Sequence, residues 1–358
     1  MKKLGVAIVG ATGAIGQQFI RFVSKNPQFN IECLTASDNS VGKKYSDSAQ
    51  WYAEFGGEGM PEVVKDIVIT KTSVQEIKKT GNIDIIFSAL PTEESKILEP
   101  QFAKEGMIVV TKSSAFRLDE YVPLLIPEVN PEHLEIIEHQ KKAKNWEGAI
   151  VADPNCTTTG FALTLKPIYD SFGIKNIFVV TMQATSGAGY RNLSPVAIND
   201  NLLPFIKGEE EKTEKETLKV LGKYESAKVA PANITISASC NRVNVDYGHM
   251  EDVFLETQKP CEPEDVKKIM KDFVGLPQKL KLPSAPKHPI HVREEEDRPQ
   301  PKLDVNTENG MSVVVGRVRK CDIFKNGIKY TLLVHNTVRG GAGMAVLNAE
   351  LLVSQGYA

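Results

Sequence analysis

The sequence is poor in features that would tie it to a membrane, a nucleic acid or a metal. Its five cysteines, Cys33, Cys156, Cys240, Cys261 and Cys321, are odd in number and include no CxxC pair, so neither a disulfide framework nor a structural zinc site is supported. Reduced thiols in a cytoplasm are the simplest reading, with at least one of them reactive. No stretch approaches the roughly 20 apolar residues that a membrane-crossing helix needs. The opening MKKLGVAIVGATG has a basic pair and an apolar run, but it enters a glycine turn too early for a secretory signal. A formal net charge of -2, with acids and bases interspersed, leaves no electrostatic footprint for nucleic acid or a membrane surface. No His/Asp/Glu cluster has metal-ligand spacing, so no metal is expected, and there is no internal repeat. Small-molecule chemistry is what these absences leave.

At 358 residues and 41% hydrophobic content, the chain is long enough for two domains, each with its own core. Strand-like runs at 4–9, 31–35, 67–70, 83–88, 108–111 and 149–152 alternate with helix-like segments at 14–24, 74–79, 95–104 and 131–143. That alternation predicts a Rossmann-type α/β nucleotide-binding domain over 1–155. Beyond it, longer β-branched runs at 177–183, 234–245, 249–257, 311–319 and 329–335 predict an α+β domain over 156–335, with a mixed, largely antiparallel sheet. Catalysis and oligomerisation are expected there. A last helix at 340–353, within a segment 336–358, is expected to return to the first domain. The charged run 207–219 reads as a solvated helix face, and 287–301 as a long ordered loop or interface arm.

GATGAIG, at Gly10, Ala11, Thr12, Gly13, Ala14, Ile15 and Gly16, joins the first strand to the first helix. Glycines there permit a tight turn and let backbone N–H groups approach a pyrophosphate at the helix N-terminus. The spacing is GxxGxxG and not GxGxxG, so its setting between strand and helix carries the argument. After the second strand, Ser37, Ser40, Lys43 and Lys44 favour a cofactor with a 2'-phosphate, NADP, whereas Asp38 argues for NAD.

In VADPNCTTTGFALTLKPI, Asn155 is a good N-cap for a helix at 157–169, which places Cys156 in the first turn. Unpaired N–H groups and the positive end of the helix dipole are expected to lower the thiol pKa and to stabilise an oxyanion. Three threonines and an asparagine are poor core for a buried, inert thiol. His249, just after Gly248 in CNRVNVDYGH, is the best placed of six histidines to serve as acid and base, and Arg242 in the same segment can bind a carboxylate.

These residues carry a family likeness. GATGAIGQQF, SALP at 88–91, SSAFRLDEYVPLLIPEVN at 113–130, PNCTTTG at 154–160, QATSGAGY at 183–190, NRVNVDYGH and HNTVRGGAG resemble the aspartate-semialdehyde dehydrogenases, most closely the archaeal and fungal branch. The motifs follow the family's order over essentially the whole chain. The resemblance implies that Cys156 is the acyl-accepting nucleophile and His249 the acid-base catalyst. It implies that Asn155 and Gln183 position the substrate, that Arg242 holds its α-carboxylate and Glu209 its amino group, and that Arg117 and Lys212 bind phosphate. The glycine turn, Ser37, Ser40, Ser88, Leu90, Pro91, Ser186, Gly187 and Asn336 would contact the cofactor. Two departures stand out: Thr111 and Lys112 replace a Ser-Asn pair, adding a positive charge near the anion site, and Asp38 and Asn39 stand where relatives often carry a basic residue.

The implied reaction is NADPH-dependent reduction of L-aspartyl 4-phosphate to L-aspartate 4-semialdehyde, on the route to lysine, threonine, methionine and isoleucine. The partners are then the small substrate, inorganic phosphate and further copies of the chain, as a homodimer or homotetramer. Rival readings are a malonyl-CoA or N-acetylglutamyl-phosphate reductase, a nucleotide-sensing protein without catalysis, and a metal-dependent hydrolase. The first is the nearest.

Overall fold

Short runs without a charged side chain become strands covered on both faces. The computed structural model describes residues 3–52, 59–189, 193–225 and 227–358. In its first half β1 (Leu4–Val9), α1 (Ala14–Val23), β2 (Phe29–Ala36), the single turns α2 (Tyr45–Ser48) and α3 (Glu62–Lys65), β3 (Thr70–Lys71), α4 (Val74–Thr80), β4 (Ile85–Ser88), α5 (Thr92–Lys104), β5 (Ile108–Thr111), α6 (Ile136–Lys144) and β6 (Ala149–Ala152) follow in order. The strands form one parallel sheet, β3-β2-β1-β4-β5-β6. β4, β5 and β6 are buried at every position, as a parallel sheet with helices on both faces requires. The strand order reverses between β1 and β4, and that switch point opens a crevice at the strands' carboxyl ends.

The second half contains α7 (Cys156–Phe172), β7 (Ile174–Gln183), α8 (Pro195–Ile198), α9 (Glu209–Val220), the small hairpin β8 (Lys223–Glu225) and β9 (Lys228–Ala230), β10 (Thr235–Arg242), β11 (His249–Thr257), α10 (Pro263–Lys271), α11 (Leu276–Leu280), β12 (Ile290–Val292), α12 (Pro301–Asp304), β13 (Val313–Lys320), β14 (Gly327–Val334) and α13 (Gly343–Ser354). Its sheet, β10-β7-β11-β14-β13-β12, is mixed, with three antiparallel pairs inside and a parallel pair at each edge. Alternation sorts its faces. Ile177, Val179, Val253 and Leu255 turn inward under α7, whereas Phe178, Val180, Met182, Met250 and Phe254 form an opposite, partly open face on which Phe178 is 42% exposed. α13 is buried on all sides. It packs back on the first sheet, against α1 and β5, and burying Leu347, Leu351 and Leu352 contributes about 1.5–3 kcal/mol each.

Several expectations change in detail. The run 67–70 joins the sheet only through β3; Ile67 and Ile69 instead bond to Tyr45, Lys43 and Gly42 in the facing loop. The segment 234–245 stops pairing with β7 after Arg242, whose backbone exchanges two bonds with Leu203. Pro131–Glu135 is a 3-10 turn ahead of α6, and a wide turn at Val338–Ala342 precedes α13. The 287–301 segment supplies the edge strand β12. The run 207–219 is not simply solvated, because Glu209, Glu216 and Lys219 are buried. No helix among the described residues is long and apolar enough to cross a membrane.

Candidate active site

The turn after β1 is built for close approach. Gly10 has φ +76, and a Cβ on Gly16 would lie 2.2 Å from the Gly10 carbonyl oxygen, so a side chain cannot replace either hydrogen without moving the loop. Tyr45 Oη donates to Ala11 O at 2.8 Å and Gln17 Nε2 to Thr12 O at 3.0 Å, which fixes the cradle from behind. Gly13 caps α1, whose first amides have no partner within the helix, and Ala14 and Ile15 open its first turn. Ser37 and Asp38 are exposed beyond β2, with Ser40 half-buried. Ser88 ends β4, with Leu90 and Pro91 just beyond it, although the Ser88 hydroxyl points into the core and donates to Glu99 at 2.6 Å. Across the crevice, Asn336 donates to Ser186 Oγ at 2.9 Å and accepts from the Gly248 N–H at 3.0 Å. The resembling segment 183–190 ends on Tyr190, which lies outside the described residues.

Asn155 caps α7 with Oδ1, which accepts from the Thr157 N–H at 2.8 Å, and its Nδ2 donates to Glu209 at 2.9 Å. Cys156 therefore enters the first helical turn, with Sγ 3.2 Å from His249 Nε2. The other ring nitrogen, Nδ1, accepts from the Ala184 N–H at 3.1 Å, while Arg242 Nη1 donates to Ala184 O at 2.6 Å. Arg242, Gln183 and the start of β11 share one end of the second sheet, and Gln183 Nε2 donates to Thr181 Oγ1 at 3.3 Å. Gly187 and Gly340 close the site. A Cβ on Gly187 would stand 2.9 Å from Arg242 Nη1 and 3.1 Å from His249 Nε2, and one on Gly340 would stand 2.7 Å from Cys156 Cβ.

Lys112, Arg117 and Arg242 all act on the sulfur by charge. Lys112 Nζ lies 3.4 Å from Asp153 and donates to Pro154 O at 3.2 Å. Arg117 donates to Glu216 at 3.0 Å and to Lys112 O at 2.7 Å, and Lys212 lies 3.8 Å from Glu209. Burial, followed by the Glu209 carboxylate, pushes the Cys156 thiol up to about 11 against the pull of Lys112, Arg117 and Arg242. This departs from the expected lowering, because the loss of water outweighs the nearby positive charge. Burial, then Arg242 and His335, hold His249 well below its ordinary value, and burial lowers Lys112.

Residues 5–137 match the family described as semialdehyde dehydrogenase, NAD binding domain, and residues 165–339 match semialdehyde dehydrogenase, dimerisation domain. The aspartate-semialdehyde dehydrogenase of Methanothermobacter thermautotrophicus is 49% identical over 349 residues, 98% of this chain and 99% of that one. The chain belongs to the aspartate-semialdehyde dehydrogenase family. The crystal structure of the Candida albicans aspartate-semialdehyde dehydrogenase with NADP superposes with a TM-score of 0.90 at 36% identity, covering 99% of this chain and 100% of that one. A malonyl CoA reductase (NADP) of Metallosphaera sedula is 38% identical over 360 residues, 99% of this chain and 98% of that one.

On this family frame, α9 contributes more than the sequence suggested. Glu216 Oε2 accepts from the Asn155 backbone N–H at 2.6 Å, and Lys219 Nζ donates to the carbonyls of Arg117, Asp119 and Val122, each at 2.8 Å. Glu209, Lys212, Glu216 and Lys219 recur at intervals of three and four, and that helical spacing is the signal that could have marked them. The Ala184 amide and Gly340 carry no such signal, because only the folded chain brings the one to the His249 ring and the other to Cys156.

Proposed function

We propose that this chain reduces L-aspartyl 4-phosphate to L-aspartate 4-semialdehyde and inorganic phosphate with NADPH, through a thioester on Cys156. The observation that carries this is the 3.2 Å approach of His249 Nε2 to a sulfur at the N-terminus of α7, on which the charges of Lys112, Arg117 and Arg242 all act. His249 takes the thiol proton as the Cys156 sulfur attacks the acyl carbon; a C–S bond forms, and the C–O bond to phosphate breaks. A free carboxylate would not react, since a thiolate does not expel oxide. Arg117, Lys112 and Lys212 hold the departing phosphate, Arg242 the α-carboxylate, and buried Glu209 the amino group, while Asn155 and Gln183 fix the acyl arm. The Gly10–Gly16 turn with Ser186, Gly187 and Asn336 would hold NADPH, which would supply the hydride for reduction of the thioester. The glycine cradle, which a Cβ would fill, fits that cofactor. Amides at the N-terminus of α7 stabilise the oxyanion, and Cys156 then leaves as thiolate. The one proton consumed overall ends on phosphate.

Residues 1–155 with 336–358 form the cofactor domain in this reading, and 156–335 the catalytic and oligomerisation domain. A second copy covers the open face of Phe178, Met182 and Phe254, giving a homodimer or homotetramer, which light scattering after size-exclusion chromatography measures. Five free cysteines fit a cytoplasmic enzyme.

The test is an assay of purified protein with phosphate, NADP and aspartate semialdehyde, beside malonate semialdehyde with CoA. Turnover of the second pair alone would overturn the substrate assignment. Running NAD in parallel tests the cofactor choice, where exposed Asp38 stands against Ser37, Ser40 and Lys43.

A further inference from the structure

Carbonyl oxygens of one buried loop that converge on a point repel one another unless a cation or a set of donors fills it. The loop that carries Arg117 makes such a point. It leads from the end of β5 to Leu124, which bridges to Ala152 of β6. The carbonyls of Arg117, Asp119 and Val122 all accept from Lys219 Nζ, each at 2.8 Å. An ammonium has three hydrogens and no acceptor, so these bonds use every donor Lys219 has. A neutral amine has two hydrogens and would turn its lone pair on the third carbonyl. Burial draws Lys219 down to about 8, against the pull of the Asp119 and Glu216 carboxylates, and the charged form still prevails at pH 7.

The ammonium grips the main chain of the very residue that reaches for the anion. Lys219 holds Arg117 by its carbonyl, while the Arg117 guanidinium donates to Glu216, three residues earlier on α9, and to the Lys112 carbonyl. Lys219 and Glu216 share a helix face, so one face of α9 fixes both the backbone and the side chain of a single arginine. Other bonds steady the far part of the loop: the Tyr121 carbonyl accepts from Gln140 Nε2 at 2.8 Å, and its N–H donates to Asp119 Oδ1 at 2.8 Å. With no hydrogen left over, Lys219 cannot also bond to a bound anion.

We propose that Lys219 is a positioning residue for phosphate: its ammonium is a built-in cation that shapes the 112–122 loop and so aims Arg117 at the anion, without touching the anion itself. This rests on the reading of Arg117 as a phosphate ligand. Cys156, His249 and Arg242 stand on α7, β11 and β10, outside the loop. Losing the ammonium should therefore weaken phosphate binding and spare the bond-making steps at sulfur.

Lys219→Met keeps the length of the side chain and removes its donors. In assays of the intact enzyme with NADP and aspartate semialdehyde, KM for phosphate should rise about tenfold or more, as expected for lost bonds to a charged donor, while kcat at saturating phosphate falls by less than about threefold. Lys219→Ala should show the same shift, and added propylammonium, which is the missing end of the side chain, should bring KM back toward the wild-type value. Tetramethylammonium carries the charge without an N–H and should not. Losses in kcat as large as those in KM, no rescue, or equal rescue by both cations would overturn the proposal. Variants that stay unfolded with and without propylammonium would overturn it too, by making Lys219 a support of the whole fold. The two readings fail separately. A wild-type enzyme that turns over none of these substrates defeats the proposed reaction, and calorimetric titration of inorganic phosphate then still compares wild type with Lys219→Met; turnover with an unchanged phosphate KM in Lys219→Met defeats the positioning role alone.

Discussion

Arg117 and Asn155 are joined through the two oxygens of one carboxylate, that of Glu216, which accepts from the guanidinium at 3.0 Å and from the asparagine backbone N–H at 2.6 Å. The proposed anion-binding arm and the cap of α7 are thus held in register by a single side chain on α9.

Glu216→Gln replaces one acceptor with an amide that must face a donor. The expected loss of stability is about 1–3 kcal/mol. In steady-state assays KM for phosphate should rise by about tenfold, with a smaller change in kcat, because Arg117 is displaced while Cys156 keeps His249; a tenfold binding loss corresponds to roughly 1.4 kcal/mol. An unchanged KM would show that Arg117 does not depend on this carboxylate.

Gly340→Ala should act on the nucleophile directly. The new methyl would stand 2.7 Å from Cys156 Cβ, so one of the two must move. Overpacking of this kind costs about 1–3 kcal/mol, and misplacing a reacting atom by about an ångström costs on the order of a hundredfold in kcat. Thermal melts and single-turnover rates separate the two effects. A variant with normal kcat would mean that the sulfur position tolerates displacement.

Thiol reactivity follows from burial. Because the Cys156 thiol is pushed up to about 11, alkylation of the ligand-free enzyme should climb steadily with pH and show no plateau below about pH 10. Cys156→Ala should abolish turnover and leave NADP binding intact, as fluorescence titration can measure. A plateau near neutrality would mean that the positive surroundings outweigh desolvation in solution.

Stability should fall in mild acid, in part through His133. Its Nδ1 bonds with the Asn130 side chain and its Nε2 with the Gly222 carbonyl, and burial pushes it down to about 4 from 6.5. The folded protein keeps this ring neutral while the unfolded chain protonates it. Its contribution is therefore complete above pH 6.5 and is lost as pH falls toward 4, by about 3 kcal/mol. Denaturant unfolding at pH 7 and pH 5 should show the slope, and His133→Gln should flatten it.

What could be read without coordinates was local. The glycine turn, the cap at Asn155 and the thiol in the first turn of α7 are matters of spacing along one strand-helix junction, and they stand where expected. The run 67–70 looked like a strand because its residues favour one, but its hydrogen bonds go to a loop that only the fold supplies. Glu216 and Lys219 were hidden for a related reason. A helix rich in charge has no visible inner face until something packs against it, and their partners lie in the Asp153–Asn155 and Lys112–Val122 segments. The direction of the thiol shift was missed because the helix N-terminus is written in the sequence and the depth of burial is not.

The return of α13 has a consequence for biosynthesis. The hydrophobic surface of α1 and β5 that it covers leaves the ribosome long before the helix does, and so must wait uncovered through synthesis of the whole second sheet. The nascent cofactor domain should therefore stay protease-sensitive until these late residues emerge, and truncation before Gly343 should yield a chain that chaperones retain.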